Sequence, residues 1–561
     1  GLLNKDKDFA WASGRFQLAC YKEEIEANLR TPGLGGFQLL DLHDYVGQGT
    51  ALVGLLDTFW ESKGYVKDAE FRRFCNTTVP LARLGKRVFT TSDSLDVDVE
   101  IAHFGAEPLE RAVPVWKIVD EAGRTVAEGK WPARTIPLGK NIPLGHVAFA
   151  LAKLSAPRAY KLVISLEGTP FQNDWNFWLY PAKSDDSKSG DVLVTERWEG
   201  AEAYLNKGGK VLFVPRAADL DWTSPPLDTV PVFWNRLMNP AWGRMLGLWA
   251  DTKHPALSEF PTEANFDWQW AELVRGQRAV NLDHLPRELQ PVVWAIDDWN
   301  RNYKLGAIFE CRVGRGRLLV SAFDLIHNLD ASPVARQLRR SLLDYMAGAK
   351  FQPTVSVTAE QIRGLFFDTR VMSKLGAVAT AEGQAANVID GDPNTFWQAG
   401  APQGRGSKYP HVLTVSFNAP VSFDGLVLMP RQNHREHEGD IREYRLEVSD
   451  DGSAWREVAR GALVSTFEPQ PVRFPQTITA RYLKLTALSG FGTDTTAALS
   501  ELAIMYTGPR LKEMGDGPFE YQRNKSASPD IDEGTVAPKK PVNPGPGQDP
   551  GTVNKQPQRR R

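Results

Sequence analysis

Only three cysteines occur in 561 residues, Cys20, Cys75 and Cys311. They are too few and too scattered for a disulfide framework or a zinc cluster, and the odd count leaves at least one thiol free. No apolar run approaches the ~20 residues that a membrane-spanning helix needs. Neither sign of charge is in excess. Sixty-six Lys and Arg against 68 Asp and Glu give a formal net charge of −2, which provides no electrostatic footing for nucleic acid or an anionic membrane. A basic, apolar leader is also missing. The chain starts with Gly1, however, and GLLNKDKDFAWASGRF already runs toward a helix. The start therefore reads as cut, and the missing leader does not argue against export.

What is present in quantity is aromatic: 17 Trp, 27 Phe and 13 Tyr. Such rings build β-sandwich cores first and stack on sugar faces second. The length exceeds what one hydrophobic core supports and predicts three or four domains.

Along residues 9–30, Phe16, Leu18, Ala19, Ile25 and Leu29 recur at helical spacing, and Pro32 and Gly33 end the helix. Phe37, Leu39, Leu40 and Leu42 then form a short apolar run that predicts a buried strand, so residues 1–80 begin as an α/β unit. Asp41, His43 and Asp44 cluster just past that run, ahead of the loop Val46–Thr50. From residue 86 the pattern alternates apolar and polar, predicting an immunoglobulin-like β-sandwich over 86–182. A polar linker, Ser184–Ser189, leads to an α/β region at 190–350. Alternating β returns over 355–508, and 511–561 has the Pro-, Gly- and Lys-rich composition of a disordered tail.

The most specific motif is Asn387-Val-Ile-Asp390-Gly-Asp392-Pro-Asn-Thr395-Phe-Trp397. It is followed by HVLTVSF, the turn Leu428–Arg431, YRLEVSDDGSAW, RYLKLTA and SELAIM. Together these resemble the discoidin-like, coagulation-factor C-type jelly roll found in many family 32 carbohydrate-binding modules. That resemblance implies a structural Ca2+ held by Asn387, Asp390, Asp392, Thr395, Ser500 and Glu501, since calcium takes six or more hard oxygens, backbone carbonyls among them. Without it, Asp-Gly-Asp-Pro-Asn is also an ordinary turn composition. Sugar binding in this fold falls on loops at one end, which points to Arg431, Asn433, His434 and Arg435 in MPRQNHREHEGD and to Phe491 in SGFGTD. Arg431 could equally be a structural arginine and His434 a solvated one; other discoidin-like domains bind phospholipid or protein.

Residues 20–57 (CYKEEIEANLRTPGLGGFQLLDLHDYVGQGTALVGLLD) resemble the last helix and eighth strand of a family 2-type glycoside hydrolase (β/α)8 barrel, and the β-sandwich after them fits that domain order. The resemblance implies that both catalytic glutamates lie before Gly1, so no catalytic residue is assigned here. In the intact enzyme Asp41, His43 and Asp44 would shape the substrate pocket, or else an Asp would cap the following loop. Glu23, Glu24 and Glu26 fan around their helix and read as a solvated face. The region 190–350 resembles a degenerate class I glutamine-amidotransferase-like, flavodoxin-like domain. No nucleophile elbow surrounds Cys311, so a scaffold or homo-oligomerisation role is expected, with Trp234, Trp242, Trp268 and Trp270 read first as core.

The fold class is thus multidomain and mainly β. The expected function is the glycan-binding C-terminal portion of a secreted, periplasmic or cell-surface bacterial glycosidase. The rival is a non-catalytic surface glycan-binding protein. A third reading, a hydrolase site at Asp41–Asp44 with a carboxylate from Asp57 or Glu61, has no spacing argument behind it.

Overall fold

The structure is a computed structural model that describes residues 2–40, 42–45, 53–183, 190–227, 229, 245–298, 301–327, 329–366, 370–400, 408–434 and 436–508. Asp41, the loop Val46–Thr50, the linker Ser184–Ser189, Trp234, Trp242, Arg435 and the tail 511–561 lie outside them.

The helix Asp6–Arg30 runs unbroken and buries Ala12, Gly14, Leu18, Ile25, Glu26 and Leu29. Gly14 is required by close approach, because a Cβ there would sit 2.4 Å from the Tyr65 ring. The Tyr65 hydroxyl donates to Gln17 Oε1 at 2.8 Å, which ties the segment after the helix back onto it. Two sequence expectations fail in this region. Residues 37–40 and Leu42 lie in no strand, and Phe37, Leu40 and Leu42 are 45%, 69% and 38% exposed. An apolar run becomes a buried strand only where neighbouring strands take up its backbone groups, and none of the described strands pairs with it.

Glu26 is the second correction. It is fully buried rather than solvated, and its carboxylate accepts from Asn173 Nδ2 at 2.7 Å, Trp175 Nε1 at 2.8 Å and Arg30 at 3.1 Å, with Lys22 beside it. Glu24 is exposed, as expected. Glu23 pairs with Arg87 at 2.8 Å, and burial raises its carboxyl above the usual range.

Residues 78–180 form a β-sandwich. One sheet has three antiparallel strands, Thr78–Ala82, Ser94–His103 and Gly139–Ala150. The other has five, in the order Val88–Thr90, Gln172–Tyr180, Arg158–Leu166, Pro114–Asp120 and Thr125–Lys130. The alternation of Ser94–His103, with Leu95, Val97, Val99 and Ile101 buried, supplies one wall of its core.

The α/β region carries a mixed sheet. Val192–Thr195, Lys210–Phe213 and Gly316–Ser321 are parallel neighbours, and Leu305–Val313, Val293–Asp297 and Met245–Ala250 continue it antiparallel. It therefore departs from a fully parallel, doubly wound sheet. Its long helix, Pro333–Ala347, starts as its sequence demands, with Ser332 Oγ accepting from Ala335 N–H and Pro333 in the first turn. Cys311 sits inside a strand with no exposure, and burial pushes its thiol up to about 12. Such a thiol is no nucleophile at neutral pH. Trp270 is core, whereas Trp268 is 45% exposed with the Arg87 guanidinium 5.2 Å from its ring.

The sandwich and the α/β region meet at Tyr180, whose hydroxyl donates to Gln269 Oε1. Gln269 in turn donates from its backbone to Asp267 at 3.1 Å. Desolvation pushes the Asp267 carboxyl up to about 8, although part of the residue reaches the surface. Because the folded pKa lies above the unfolded value of about 3.9, the contribution is full in acid and is lost as pH rises toward 8. Asp267→Asn is therefore expected to raise the melting temperature more at about pH 9 than at about pH 4, measured by circular dichroism at both.

The last domain is a jelly roll. Two long bent strands, His411–Met429 and Gln470–Gly490, pair antiparallel and are flanked by Val378–Ala381, Ile441–Ser449, Arg456–Ala462 and Glu501–Tyr506. Trp397–Ala399 and Ala497–Leu499 form a second small pair. Trp222 of the α/β region inserts into this domain's core beside residues such as Val371 and Val388, so the two are packed together rather than strung on a linker. Among the described residues no helix is long and apolar enough to cross a membrane.

Candidate functional site

The acidic turn and the strand Glu501–Tyr506 lie together at one edge of the jelly roll. Asp390 Oδ1 accepts from Asp392 N–H at 2.8 Å, and its Oδ2 accepts from the Thr395 hydroxyl at 2.8 Å. The same hydroxyl lies 3.2 Å from the Asp392 carbonyl and 3.4 Å from that of Asn387. Two carbonyls, a carboxylate and a hydroxyl therefore converge. The Asp392 carboxylate turns away and accepts from Asn394 N–H at 3.0 Å.

Glu501 enters from its strand, paired with Met429, and is 1% exposed. Neither of its carboxylate oxygens accepts a well-formed hydrogen bond, and the Ser500 hydroxyl is likewise buried without a partner. The groups facing Glu501 are the Asp390 carboxyl and Gly391 N–H. Burial first, and the Asp390 charge second, hold the Glu501 carboxyl well above the usual range. Burial raises Asp390 too. An acceptor-rich, donor-poor pocket of this kind is costly unless a proton or a cation bridges it. Its donor set of hard oxygens fits calcium. No cluster of three His, Cys, Asp or Glu side chains gathers at metal distance among the described residues; here carbonyls would supply much of the shell.

The loop candidates lie on the same domain. Residues 438–440 and 491–498 are laced together by Gly439 N–H to Phe491 carbonyl at 2.8 Å, Phe491 N–H to Asp440 carbonyl at 2.9 Å and Ala498 N–H to Gly439 carbonyl at 2.9 Å. Asn433, His434 and Phe491 are half-buried at this junction. Arg431 is 7% exposed. Its Nε donates to Asp440 Oδ1 at 3.1 Å and a terminal nitrogen to Gln398 Oε1 at 3.1 Å, a second terminal nitrogen donates to the Glu438 carbonyl, and its guanidinium lies 5.5 Å from the Phe396 ring. The other Asp440 oxygen meets His437 Nδ1 at 2.8 Å. His437 has a left-handed backbone with φ of 55° and packs 4.3 Å from Phe467. Burial raises Asp440 against the opposing pull of His437 and Arg431.

Asp440, His437 and Gln398 were not singled out from the sequence. Asp440 and Gln398 stand 9 and 33 residues away from Arg431, and no local period marks them.

The N-terminal candidates behave differently. The Asp44 carboxylate accepts from Gly54 N–H at 2.9 Å and Lys63 Nζ at 2.7 Å, so it is engaged within the fold. His43 lies against the Trp60 ring at 4.4 Å, and its Nδ1 is 2.7 Å from the Asp44 carbonyl. Asp57 Oδ1 accepts from Phe59 N–H at 2.8 Å and Glu61 N–H at 2.9 Å, a turn-capping arrangement. Phe59 and Trp60 are left 82% and 61% exposed. A groove of about 640 Å³ lies between the helix and the α/β region. Its buried charges are engaged within the fold: Asp297 by Arg301 and Tyr303 N–H, Lys304 by the carbonyls of Pro286 and Arg287.

Comparison with known proteins divides the chain in the same places. Residues 93–181 match a domain of unknown function (DUF8488) and residues 193–367 another (DUF8487). Residues 373–502 match the F5/8 type C domain. A sialidase of Micromonospora viridifaciens is 33% identical over 127 residues, covering 22% of this chain and 19% of the sialidase. An A type blood N-acetyl-alpha-D-galactosamine deacetylase of Flavonifractor plautii is 35% identical over 140 residues, covering 23% of this chain and 16% of the deacetylase. The chain thus spans a fifth or less of the length of these two relatives. Among solved structures, CBM32-3 from a family 31 glycoside hydrolase of Clostridium perfringens is 32% identical, covering 23% of this chain and 88% of that one with a TM-score of 0.21. The family 32 module of C. perfringens NanJ, in complex with galactose, is 25% identical, covering 24% and 96% with a TM-score of 0.22.

Proposed function

We propose that this chain is the carbohydrate-binding C-terminal portion of an exported glycoside hydrolase. On this reading residues 373–502 bind glycan through the loops at 431–440 and 491–496. The observation that carries it is the laced loop pair with Asn433, His434 and Phe491 at its surface, in an F5/8 type C domain whose relatives include a sialidase and glycosidase modules. A half-exposed ring beside planar donors and acceptors is what a saccharide needs for stacking and hydroxyl recognition. Calcium at Asn387, Asp390, Asp392, Thr395, Ser500 and Glu501 would brace the turn from beneath, a role supported by the unpartnered Glu501 carboxylate.

The hydrolase half of the proposal is supported by the exposed apolar residues Phe37, Leu40, Phe59 and Trp60, the last with its ring against His43. A stable fold does not leave so many large side chains in water without a partner surface. The remainder of a (β/α)8 barrel, carrying both catalytic carboxylates on the same polypeptide, would cover them. The mechanism there would be retaining hydrolysis by two glutamates.

Glycan-array binding by the full chain, with and without a chelator, tests the binding half. Binding to defined glycans that weakens in chelator is expected. A folded chain that binds no glycan would turn the reading toward a protein or lipid partner. The hydrolase half falls if the surface around Trp60 stays open to hydroxyl-radical footprinting in the protein purified from its source.

A further inference from the structure

We propose that calcium binding at the acidic turn and docking of the jelly roll on the α/β region are coupled, because one turn serves both. Asp390, Asp392 and Thr395 would hold the cation, while Pro393 and Asn394 between them face the other domain. The inference rests on the calcium reading above and adds to it a consequence outside the jelly roll.

The α/β side of the contact is a fixed platform, the segment 222–227. The Ser224 carbonyl accepts from Arg278 Nε at 2.6 Å, and its hydroxyl oxygen accepts from Asn281 N–H at 3.2 Å. The Pro225 carbonyl accepts from Ala279 N–H at 2.9 Å, and Leu227 N–H donates to the Gln277 carbonyl at 2.9 Å. Two consecutive prolines, Pro225 and Pro226, restrict the backbone further. From this platform Trp222, 3% exposed, enters the core of the jelly roll.

The jelly-roll side of the contact is the backbone that carries the proposed calcium ligands. Trp222, Pro225 and Pro226 face Pro393, Asn394 and Met429 across a gap of about 10 Å³, the space of one water at most. Met429 pairs with Glu501, and its carbonyl accepts from Ser500 N–H at 2.9 Å. Both halves of the shell, the turn and the start of the last strand, therefore abut the same platform. Close-packed surfaces do not yield gradually, so a displacement on one side has to be taken up on the other. A cation drawing the turn toward Glu501 fixes where Pro393 and Asn394 stand. A platform that holds those two in place preorganises the shell, and the two effects are equal in free energy.

The test uses the full chain and the calcium ion alone. Hydrogen exchange is followed in calcium and in chelator. Slower exchange in calcium is expected at the amides of Leu227 and Ala279, which lie in the α/β region and adjoin no proposed ligand. Protection confined to 387–397 and 500–502 overturns the inference and leaves the calcium reading standing.

Isothermal titration reads the coupling from the other side. Trp222→Ala is expected to weaken calcium binding by about fivefold or more, the low end of coupling between linked sites. A purely structural role for Trp222 would lower stability and leave the calcium affinity of the folded chain unchanged. Pro226→Ala, which trims the platform and keeps its backbone hydrogen bonds, reads the same loss if Trp222→Ala fails to fold. An unchanged affinity in the folded variant overturns the proposal, since the coupling is reciprocal. A parent chain that binds no calcium overturns the calcium reading and this inference with it.

Discussion

Glu501→Gln is expected to change stability in opposite directions depending on whether calcium is present. In chelator the variant should melt higher than the parent chain, because a buried carboxylate facing Asp390 is replaced by a neutral group of the same shape. In calcium the parent should overtake it. A cation bound to the folded state alone at a hundred times its Kd adds about 2.7 kcal/mol, and the variant loses the side chain that closes the shell.

The pH dependence follows from the same pair. Asp390 and Glu501 both have folded pKa values raised above the unfolded ones. Without metal, their stabilising contribution is complete below the unfolded values of about 4 and fades as pH rises through the folded values. The calcium-induced gain should therefore grow from mild acid to neutral pH, since protons and metal compete for the same oxygens. Scanning calorimetry of both chains, in chelator and in calcium at two pH values, reads all of this. Identical shifts in the two chains, or none in the parent, would remove calcium from the proposal and leave a shared proton as what bridges the carboxyls.

Glu26→Ala is expected to be the most damaging single change in the N-terminal half, at about 3–5 kcal/mol, the usual consequence of removing one partner from a buried ionic network. It would strand Asn173 Nδ2 and Trp175 Nε1 inside the contact between helix and sandwich, and leave Lys22 and Arg30 without their shared anion. Glu26→Gln should cost less than the alanine variant, since its carbonyl still accepts one of these bonds. Glu24→Ala, two residues away on the exposed face, should change stability by less than about 0.5 kcal/mol. Urea unfolding of the three variants checks the order. A Glu26→Ala chain as stable as Glu24→Ala would mean that the helix does not hold the sandwich through this residue.

The three glutamates of the first helix mark where local sequence ceases to specify burial. Position on a helix told only that Glu23, Glu24 and Glu26 point in different directions. Which of those directions is buried depended on a sandwich strand more than a hundred residues later, carrying Asn173 and Trp175. The same limit applies at the jelly roll. The Asp390–Thr395 turn was legible because turn chemistry is local, whereas Glu501 entered only through the resemblance to discoidin-like domains. The bond from Asp440 to Arg431 was not, because a buried carboxylate looks like any loop aspartate until the fold encloses it.

The sequence by itself determined the mainly β, multidomain plan, the sandwich placed over 86–182 and the alternating β region of 355–508 with its acidic turn. Each of these rests on short-period patterning or on residues whose local preferences agree with the final structure. Tertiary structure alone decided that Phe37–Leu40 forms no strand, that Trp222 belongs to the jelly-roll core, that Glu26 is buried and that Arg431 is neutralised. Those outcomes depend on which distant surfaces meet, and burial, which sets the cost of every charge and the worth of every apolar side chain, is a property of that meeting.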